Sequence, residues 1–300
     1  MNTCKILNIG SLNSDHVYNV EHFVTGGETL AALSLQYFPG GKGLNQSVAL
    51  SRAGARVFHA GKTGPDGAPL IELLRGCGVD IRHIRSDGSV SGHALIQVTP
   101  NGQNCILIYH GANFELERSH LDEVISSFGE GDILVLQNEV NEIPFMMQKA
   151  SQKGMRITFN PSPFDKTLLD FPLELVSWFI LNEIEGGEIT GEKNPKDILQ
   201  SMAARFPQAA IVLTLGKDGV MYKDNKTELS HGIYSVDVVD TTAAGDTFTG
   251  FFIASIAAGE PPAEALRLAS IASSLTVMRP GASSSIPTRE EVEAAKLNLA

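Results

Sequence analysis

Short apolar runs alternate along this chain with stretches whose apolar residues recur every three or four positions, the signature of strands interleaved with amphipathic helices. Ile6–Ile9 reads as a buried strand that opens into the polar loop Gly10-Ser-Leu-Asn13-Ser-Asp15. Two strand-like segments, Val17–Phe23 and Thr29–Tyr37, follow with no helix between them, and two more, His93–Val98 and Cys105–Tyr109, flank the hairpin signal Thr99-Pro-Asn-Gly-Gln. Strands joined this way predict a small antiparallel sheet added to a larger one. Between the two pairs a helical pattern runs from the glycines near Gly41 to Gly54, then a strand at Val57–Ala60, a helix at Ala68–Cys77 and a strand at Val79–Ile84. The alternation continues with a helix at Glu117–Phe128, a strand at Ile133–Leu136, a helix at Phe145–Gln152 and strands at Arg156–Phe159, Trp178–Leu181, Ile211–Leu215 and Val220–Tyr222. A helix entered at Ala243–Gly245 and a long one from Ala263 to Val277 complete the pattern. The expected class is α/β, with a mostly parallel central sheet covered by helices on both faces.

Composition narrows this picture. At 300 residues and 43% apolar content the chain can bury a sizeable core. A net charge of −11 with no basic run argues against nucleic acid and anionic membranes as partners. The opening Met-Asn-Thr-Cys-Lys-Ile lacks a long apolar segment and no apolar run reaches membrane-spanning length, so the cytoplasm is the expected compartment. Cys4, Cys77 and Cys105 are widely spaced and odd in number, which predicts free, buried thiols rather than disulfides or zinc. Gly61-Lys62-Thr63 imitates the end of a phosphate-binding P-loop, but Arg56 stands where that template needs glycine.

Candidate chemistry collects where polar residues follow predicted strands, the edge at which open α/β sheets bind ligands. Asn13 and Asp15 occupy alternate positions and can hold vicinal hydroxyls from one side, or form an Asx turn. Pro39-Gly-Gly41-Lys42-Gly-Leu-Asn45-Gln46 places three glycines at a helix start, where backbone can approach a ligand closely. Glu139 is either an acceptor for a sugar hydroxyl or a helix-entry carboxylate before Pro144. Asn182 and Glu185 have capping-box spacing, and the same spacing suits hydrated magnesium and a phosphate oxygen; both roles are compatible. In Asp240-Thr-Thr-Ala-Ala-Gly-Asp246-Thr-Phe-Thr-Gly250 the small residues lead into a helix whose first amides form an anion pocket, with Gly245 allowing close approach and positive φ. Asp246, beside that pocket, is then either a general base for a hydroxyl attacking phosphorus or an ordinary first-turn acid behind an N-cap at Asp240 or Thr242.

The two long motifs together resemble the N-terminal and C-terminal signatures of the ribokinase-like carbohydrate kinases, the phosphofructokinase B type, and the resemblance spans nearly the whole chain. It implies a three-layer α/β/α fold in which residues 1–300 form one kinase domain, with lid strands inserted at about 16–38 and 92–110. It implies ATP-dependent phosphorylation of a primary hydroxyl, with D-ribose going to D-ribose 5-phosphate as the first expectation. The alternatives are another furanose, a ketohexose or a nucleoside, or a sensor that keeps the fold without turnover. By resemblance Asp246 is the base and Ala243, Ala244 and Gly245 the anion hole, while Asn13, Asp15, Gly41, Lys42, Asn45 and Glu139 hold the sugar. Asn182, Glu185, Thr214, Gly216, Gly219, Gly245 and Ser270 are assigned to the nucleotide, with Glu185 reaching magnesium through water. Asp240, Thr242, Thr276, Arg279, Gly281 and Ser285 match the positions that enclose potassium, and the lid implies a homodimer.

Overall fold

The computed structural model describes residues 4–300, so the opening Met1–Thr3 lies outside the described residues. The first half contains β1 (Lys5–Ile9), β2 (Asn13–Asn19), β3 (Ser34–Gly40), α1 (Lys42–Arg52), β4 (Arg56–Lys62), α2 (Ala68–Gly76), β5 (Asp80–Arg85), β6 (Gly92–Val98), β7 (Asn104–Tyr109) and α3 (Arg118–Ser126). There follow β8 (Ile133–Gln137), α4 (Ile143–Gln152), β9 (Arg156–Asn160), β10 (Trp178–Asn182), α5 (Glu183–Thr190), α6 (Pro195–Arg205) and β11 (Ala210–Thr214). The chain finishes with β12 (Val220–Lys223), β13 (Glu228–His231), α7 (Ala244–Ala257), α8 (Pro262–Val277) and α9 (Arg289–Ala294).

Nine strands form one sheet in the order β13-β12-β11-β10-β9-β8-β1-β4-β5, parallel from β11 to β5 and antiparallel at β12 and β13. The pleat explains the layering, because side chains alternate between two separate cores. Ile6 packs with α1, α7 and α8 residues such as Leu44, Phe251 and Leu266, whereas Leu7 and Ile9 pack with Leu121, Met146 and Leu199 from the helices of the other face.

The remaining four strands form the small sheet β3-β2-β6-β7. Here three expectations are corrected. The strand expected at Val17–Phe23 begins at Asn13 and ends at Asn19, and Thr29–Leu33 is irregular, so strand β3 starts only at Ser34. Asn13-Ser-Asp15 read as a loop because it is polar, yet it is paired on both sides, with β3 and β6. The sheet is also mixed rather than antiparallel, since β2 and β6 run parallel. The cause is the path of the chain: β1 and β5 are parallel members of the main sheet, and each hands the chain to the small sheet travelling the same way. Helices α6 and α9 and strand β13 had no counterpart in the sequence reading. The thiols are free as expected, but Cys105 is exposed and Cys4 and Cys77 only half-buried. The P-loop look-alike lies at the end of β4, with Thr63 just past it, and Lys62 donates to the Glu115 carbonyl at 3.2 Å. No helix among the described residues is long and apolar enough to cross a membrane.

Candidate active site

The N-terminus of α1 is pressed against the end of β1, and glycine makes this possible. A Cβ on Gly43 would lie 2.3 Å from the Ser11 amide nitrogen, and Gly41 takes φ 90° to start the helix. The first amide of α1, from Lys42, donates to Glu139 Oε2 at 2.9 Å, and the Ser11 hydroxyl donates to the same oxygen. Glu139 is therefore a helix-entry carboxylate, but for α1 and not for α4, and its Oε1 has no hydrogen-bond partner among the described residues. Burial alone would lower the Lys42 ammonium. The carboxylates of Asp246, Glu139 and Glu185 facing it outweigh that and hold it above the ordinary lysine value.

Helix α7 crosses α1 at Gly250, where an added Cβ would sit 2.3 Å from the Ala49 Cβ. This close crossing sets Asp246, in the first turn of α7 and 7% exposed, against α1. Its carboxylate accepts from Asn45 Nδ2 at 3.1 Å on Oδ2 and from Gln46 Nε2 at 3.0 Å on Oδ1. Asn45 Oδ1 is buried without a partner among the described residues. The left-handed residue at the helix entry is Ala243, φ 60°, and not Gly245, which lies inside the helix facing open space. A non-glycine residue held there stores strain of about 1–3 kcal/mol, as functional turns do. The Ala244 amide donates to the Thr241 carbonyl at 3.3 Å, whereas the amides of Ala243, Gly245 and Asp246 have no acceptor among the described residues. The helix carries no side-chain cap, so these amides and the dipole behind them face the cleft.

The small sheet supplies Asn13 and Asp15 from one face of β2, beside Phe38, Ala94 and Ile108 in register. Asn113 turns the Asn13 side chain by donating to its Oδ1 at 2.7 Å, and itself accepts from the Leu12 amide at 2.9 Å. Asp15 packs against bare Gly40, whose Cβ would lie 2.1 Å from Oδ2. Burial first, and the nearby Glu139 charge second, push the Asp15 carboxyl up to about 7.

On the opposite side, Asn182 and Glu185 form the full capping box: Oδ1 accepts from the Glu185 amide at 2.9 Å and Oε2 from the Asn182 amide at 3.0 Å. Glu185 Oε1 has no partner among the described residues and lies in the field of Lys42, so it fits an outer ligand of magnesium. Thr214 donates its hydroxyl to the Leu181 carbonyl at 3.3 Å, and Gly216 and Gly219, at φ 55° and 90°, bracket the turn after β11. Ser270 is 8% exposed on α8 and makes no hydrogen bond to that turn. The Asp240 loop meets the segment after α8 where Asp240 Oδ2 accepts from the Gly281 amide at 2.9 Å, while Oδ1 accepts from the Thr242 amide and hydroxyl at 2.9 and 2.6 Å. Burial works to raise the Asp240 carboxyl, but these donors together hold it below its usual value. Carbonyls of Asp240, Thr242, Arg279, Gly281 and Ser285 accept no hydrogen bond among the described residues, a donor set that suits a large monovalent cation. The Thr276 carbonyl is engaged by the Arg279 amide at 3.1 Å, and its hydroxyl meets that of Thr247 at 3.0 Å.

Sequence reading missed the polar residues beneath this cleft: Asn8, Gln46, Ser47, His59, Gln137 and Asn160, all buried and hydrogen-bonded to one another. The available signal was Asn8, a polar residue inside the apolar run Ile6–Ile9.

A model of the pfkB family carbohydrate kinases matches residues 4–289. The chain is similar to the ribokinase of Haemophilus influenzae, 34% identical over 293 residues that cover 94% of this chain and 95% of that one. It is 33% identical over 290 residues to the ribokinase of Bacillus subtilis, with 95% and 97% covered. Among solved structures, Arabidopsis thaliana ribokinase complexed with ribose and ATP superposes with a TM-score of 0.88 at 29% identity, over 97% of this chain and 98% of that one.

Proposed function

The chain belongs to the pfkB family of carbohydrate kinases, and from that premise we propose that it transfers the γ-phosphoryl group of ATP to the primary hydroxyl of D-ribose, giving D-ribose 5-phosphate and ADP. The observation that carries this reading is the buried Asp246 carboxylate at the start of α7, flanked by unengaged amides and by the partnerless Asn45 Oδ1. Asp246 takes the proton of the sugar hydroxyl as its oxygen bonds to the γ-phosphorus and the bond to the bridging oxygen of ADP breaks. Amides of Ala243, Gly245 and Asp246 stabilise charge on the moving group; removal of one such donor typically costs about 10²–10³ in rate. Sugar hydroxyls donate to Asn45 Oδ1, Asp15 and Glu139 Oε1, while the Asn13 amide, turned by Asn113, donates to one. Gly41 and Lys42 close the base of this pocket. Magnesium, held through Glu185 with Asn182 beside it, would neutralise phosphate charge; Thr214, Gly216, Gly219 and Ser270 bound the nucleotide side. A potassium ion held by the Asp240–Thr242 and Thr276–Ser285 loops would order the anion-hole turn.

Residues 1–300 act here as one catalytic unit working in the cytoplasm with its ATP. The small sheet is the lid, and its exposed Leu35, Tyr37, Leu107 and Tyr109 fit pairing with the lid of a second copy. The test is coupled ADP release over ribose, 2-deoxyribose, fructose and nucleosides, with the phosphate located on the product by NMR. Ribose turning over fastest, with phosphate on its primary carbon, supports the reading. Preference for a nucleoside or ketohexose redirects the substrate, and no ADP with any acceptor overturns the reaction.

A further inference from the structure

Asp246 is the end of a hydrogen-bonded chain that crosses the sheet beneath the cleft. Its members, His59 on β4, Asn8 on β1, Ser47 and Gln46 on α1 and Gln137 on β8, are all 0% exposed. Asn8 Nδ2 donates to the Gly43 carbonyl and to the Ser47 hydroxyl, both at 2.8 Å. Gln137 Nε2 donates to Asn8 Oδ1 at 2.9 Å and to Gln46 Oε1 at 2.8 Å. Gln46 Nε2 then donates to Asp246 Oδ1 at 3.0 Å and to Asn160 Oδ1 at 3.3 Å, and Asn160 Nδ2 donates to the Ile180 carbonyl at 2.8 Å.

The orientation of every amide in this chain is fixed from both ends. A backbone carbonyl only accepts, so Gly43 O compels Asn8 to face it with Nδ2 and to face Gln137 with Oδ1. Gln137 must answer with Nε2, which leaves Gln46 facing Gln137 with Oε1 and Asp246 with Nε2. Starting from Ile180 O, Asn160 is forced to present Oδ1 to Gln46, which again requires Gln46 Nε2 on that side. At the far end burial pushes the His59 imidazole down to about 4, and Ser47 Oγ lies 2.8 Å from His59 Nδ1, a bond whose direction follows the His59 tautomer. A reversed Gln46 amide would set its one oxygen against both the Asp246 carboxylate and Asn160 Oδ1, leaving buried acceptors unpaired.

We propose that Gln46 and Gln137 are positioning residues of the phosphoryl transfer: the amide chain anchored on Gly43 and Ile180 locks the Gln46 N–H onto Asp246, which keeps that base aimed at the acceptor hydroxyl. The inference rests on Asp246 being the base. Each Asp246 oxygen takes one side-chain amide proton, so a lone pair stays available for the sugar hydroxyl. The charged group facing Asp246 is Lys42 on α1, whose ammonium also feels the Glu139 and Glu185 carboxylates. Helix α8 offers the first turn of α7 only the hydroxyls of Ser273, which donates to the Ala244 carbonyl, and Thr276.

The test compares Gln46→Glu and Gln137→Glu with the parent enzyme in pH profiles of kcat, together with sugar affinity by calorimetry. A carboxylate at 137 can only accept, so Gln46 must reverse to meet it; a carboxylate at 46 confronts Asp246 directly. For both variants we expect kcat at neutral pH to fall about a hundredfold, the scale of a misaligned reacting group. The acid limb of the profile moves up by about one pH unit, and sugar affinity stays within about threefold, because the groups that hold the sugar are unchanged. Gln137→Glu lies one residue removed from the base and reads the same effect if Gln46→Glu fails to fold. Acid limbs and kcat that coincide with the parent overturn the proposal, as does a loss confined to thermal stability. Asp246→Asn serves as control: if it turns over normally the base assignment fails, whereas an inactive Asp246→Asn with parent-like glutamate variants sinks the positioning role alone.

Discussion

The floor of the cleft and the sheet above it break the usual partition of residues in opposite senses. The floor buries polar groups: Asn8, Gln46, Ser47, His59 and Gln137 are sealed from solvent and bonded to one another, with Gln137 Oε1 and His59 Nε2 left without a partner among the described residues. The lid exposes apolar ones, with Leu107 at 66%, Tyr37 at 63% and Tyr109 at 54%. A buried polar group is costly unless it is hydrogen-bonded, and the linked amides of the floor hold one another in a single orientation through contacts within the chain. An exposed apolar sheet face marks a surface that fits a partner, so the lid is the region whose proposed contacts, a sugar on one face and a second copy on the other, lie outside the chain itself. In the proposed reaction, catalytic alignment would belong to the floor and enclosure to the lid.

Asp15 stands where the two regions meet and gives the largest effect on stability. Its carboxyl, raised from 3.8 to about 7, carries charge only at a folding cost. That cost is absent below about pH 4, grows through the interval up to 7 and is complete above it. Asp15→Asn should thus stabilise the ligand-free protein at pH 8 by up to about 4 kcal/mol, with no gain at pH 4, while sugar affinity falls at least about tenfold. Urea unfolding at the two pH values checks the first part and calorimetry the second; equal stabilisation at both would show the carboxyl to be ordinary. Gly250→Ala probes the floor, since its Cβ would overlap Ala49 and push α1 from α7. The expected loss is about 1–3 kcal/mol in urea unfolding, with reduced kcat because the pair Asn45 and Gln46 moves away from Asp246. Leu107→Glu probes the lid and should change monomer stability by less than about 0.5 kcal/mol. Sedimentation should show the same substitution shifting a dimer to monomer, and an unchanged dimer would remove the lid from the interface.

Much of this was legible in sequence because its causes are local. The β-branched runs, the glycines at the start of α1 and the small residues before α7 each dictate a backbone shape without help from elsewhere. Strand β2 was misread because its polar face looks into a cleft, so Asn13 and Asp15 imitate a loop. Its parallel partner β6 was misassigned because direction depends on the excursion of the chain through β4 and β5, far from either strand. The strain fell on Ala243 instead of Gly245 because the close of the turn, through Thr247 to the Ala243 carbonyl at 2.8 Å, sets it one residue pair earlier. The buried amide chain was invisible for a different reason. Asn8, Gln46, His59 and Gln137 share no spacing, and only the strand order β8-β1-β4 brings them together.

The claim on which the rest stands is that Asp246 removes the hydroxyl proton from an acceptor already held by its neighbours. Single-turnover phosphoryl transfer to ribose by Asp246→Asn, with ribose affinity measured on the same preparation, tests it most directly. The expected result is a rate lowered by about 10³-fold or more with affinity within a few-fold of the parent, because the amide keeps the shape and loses the base. Transfer at the parental rate, or loss of ribose binding in place of chemistry, would contradict it.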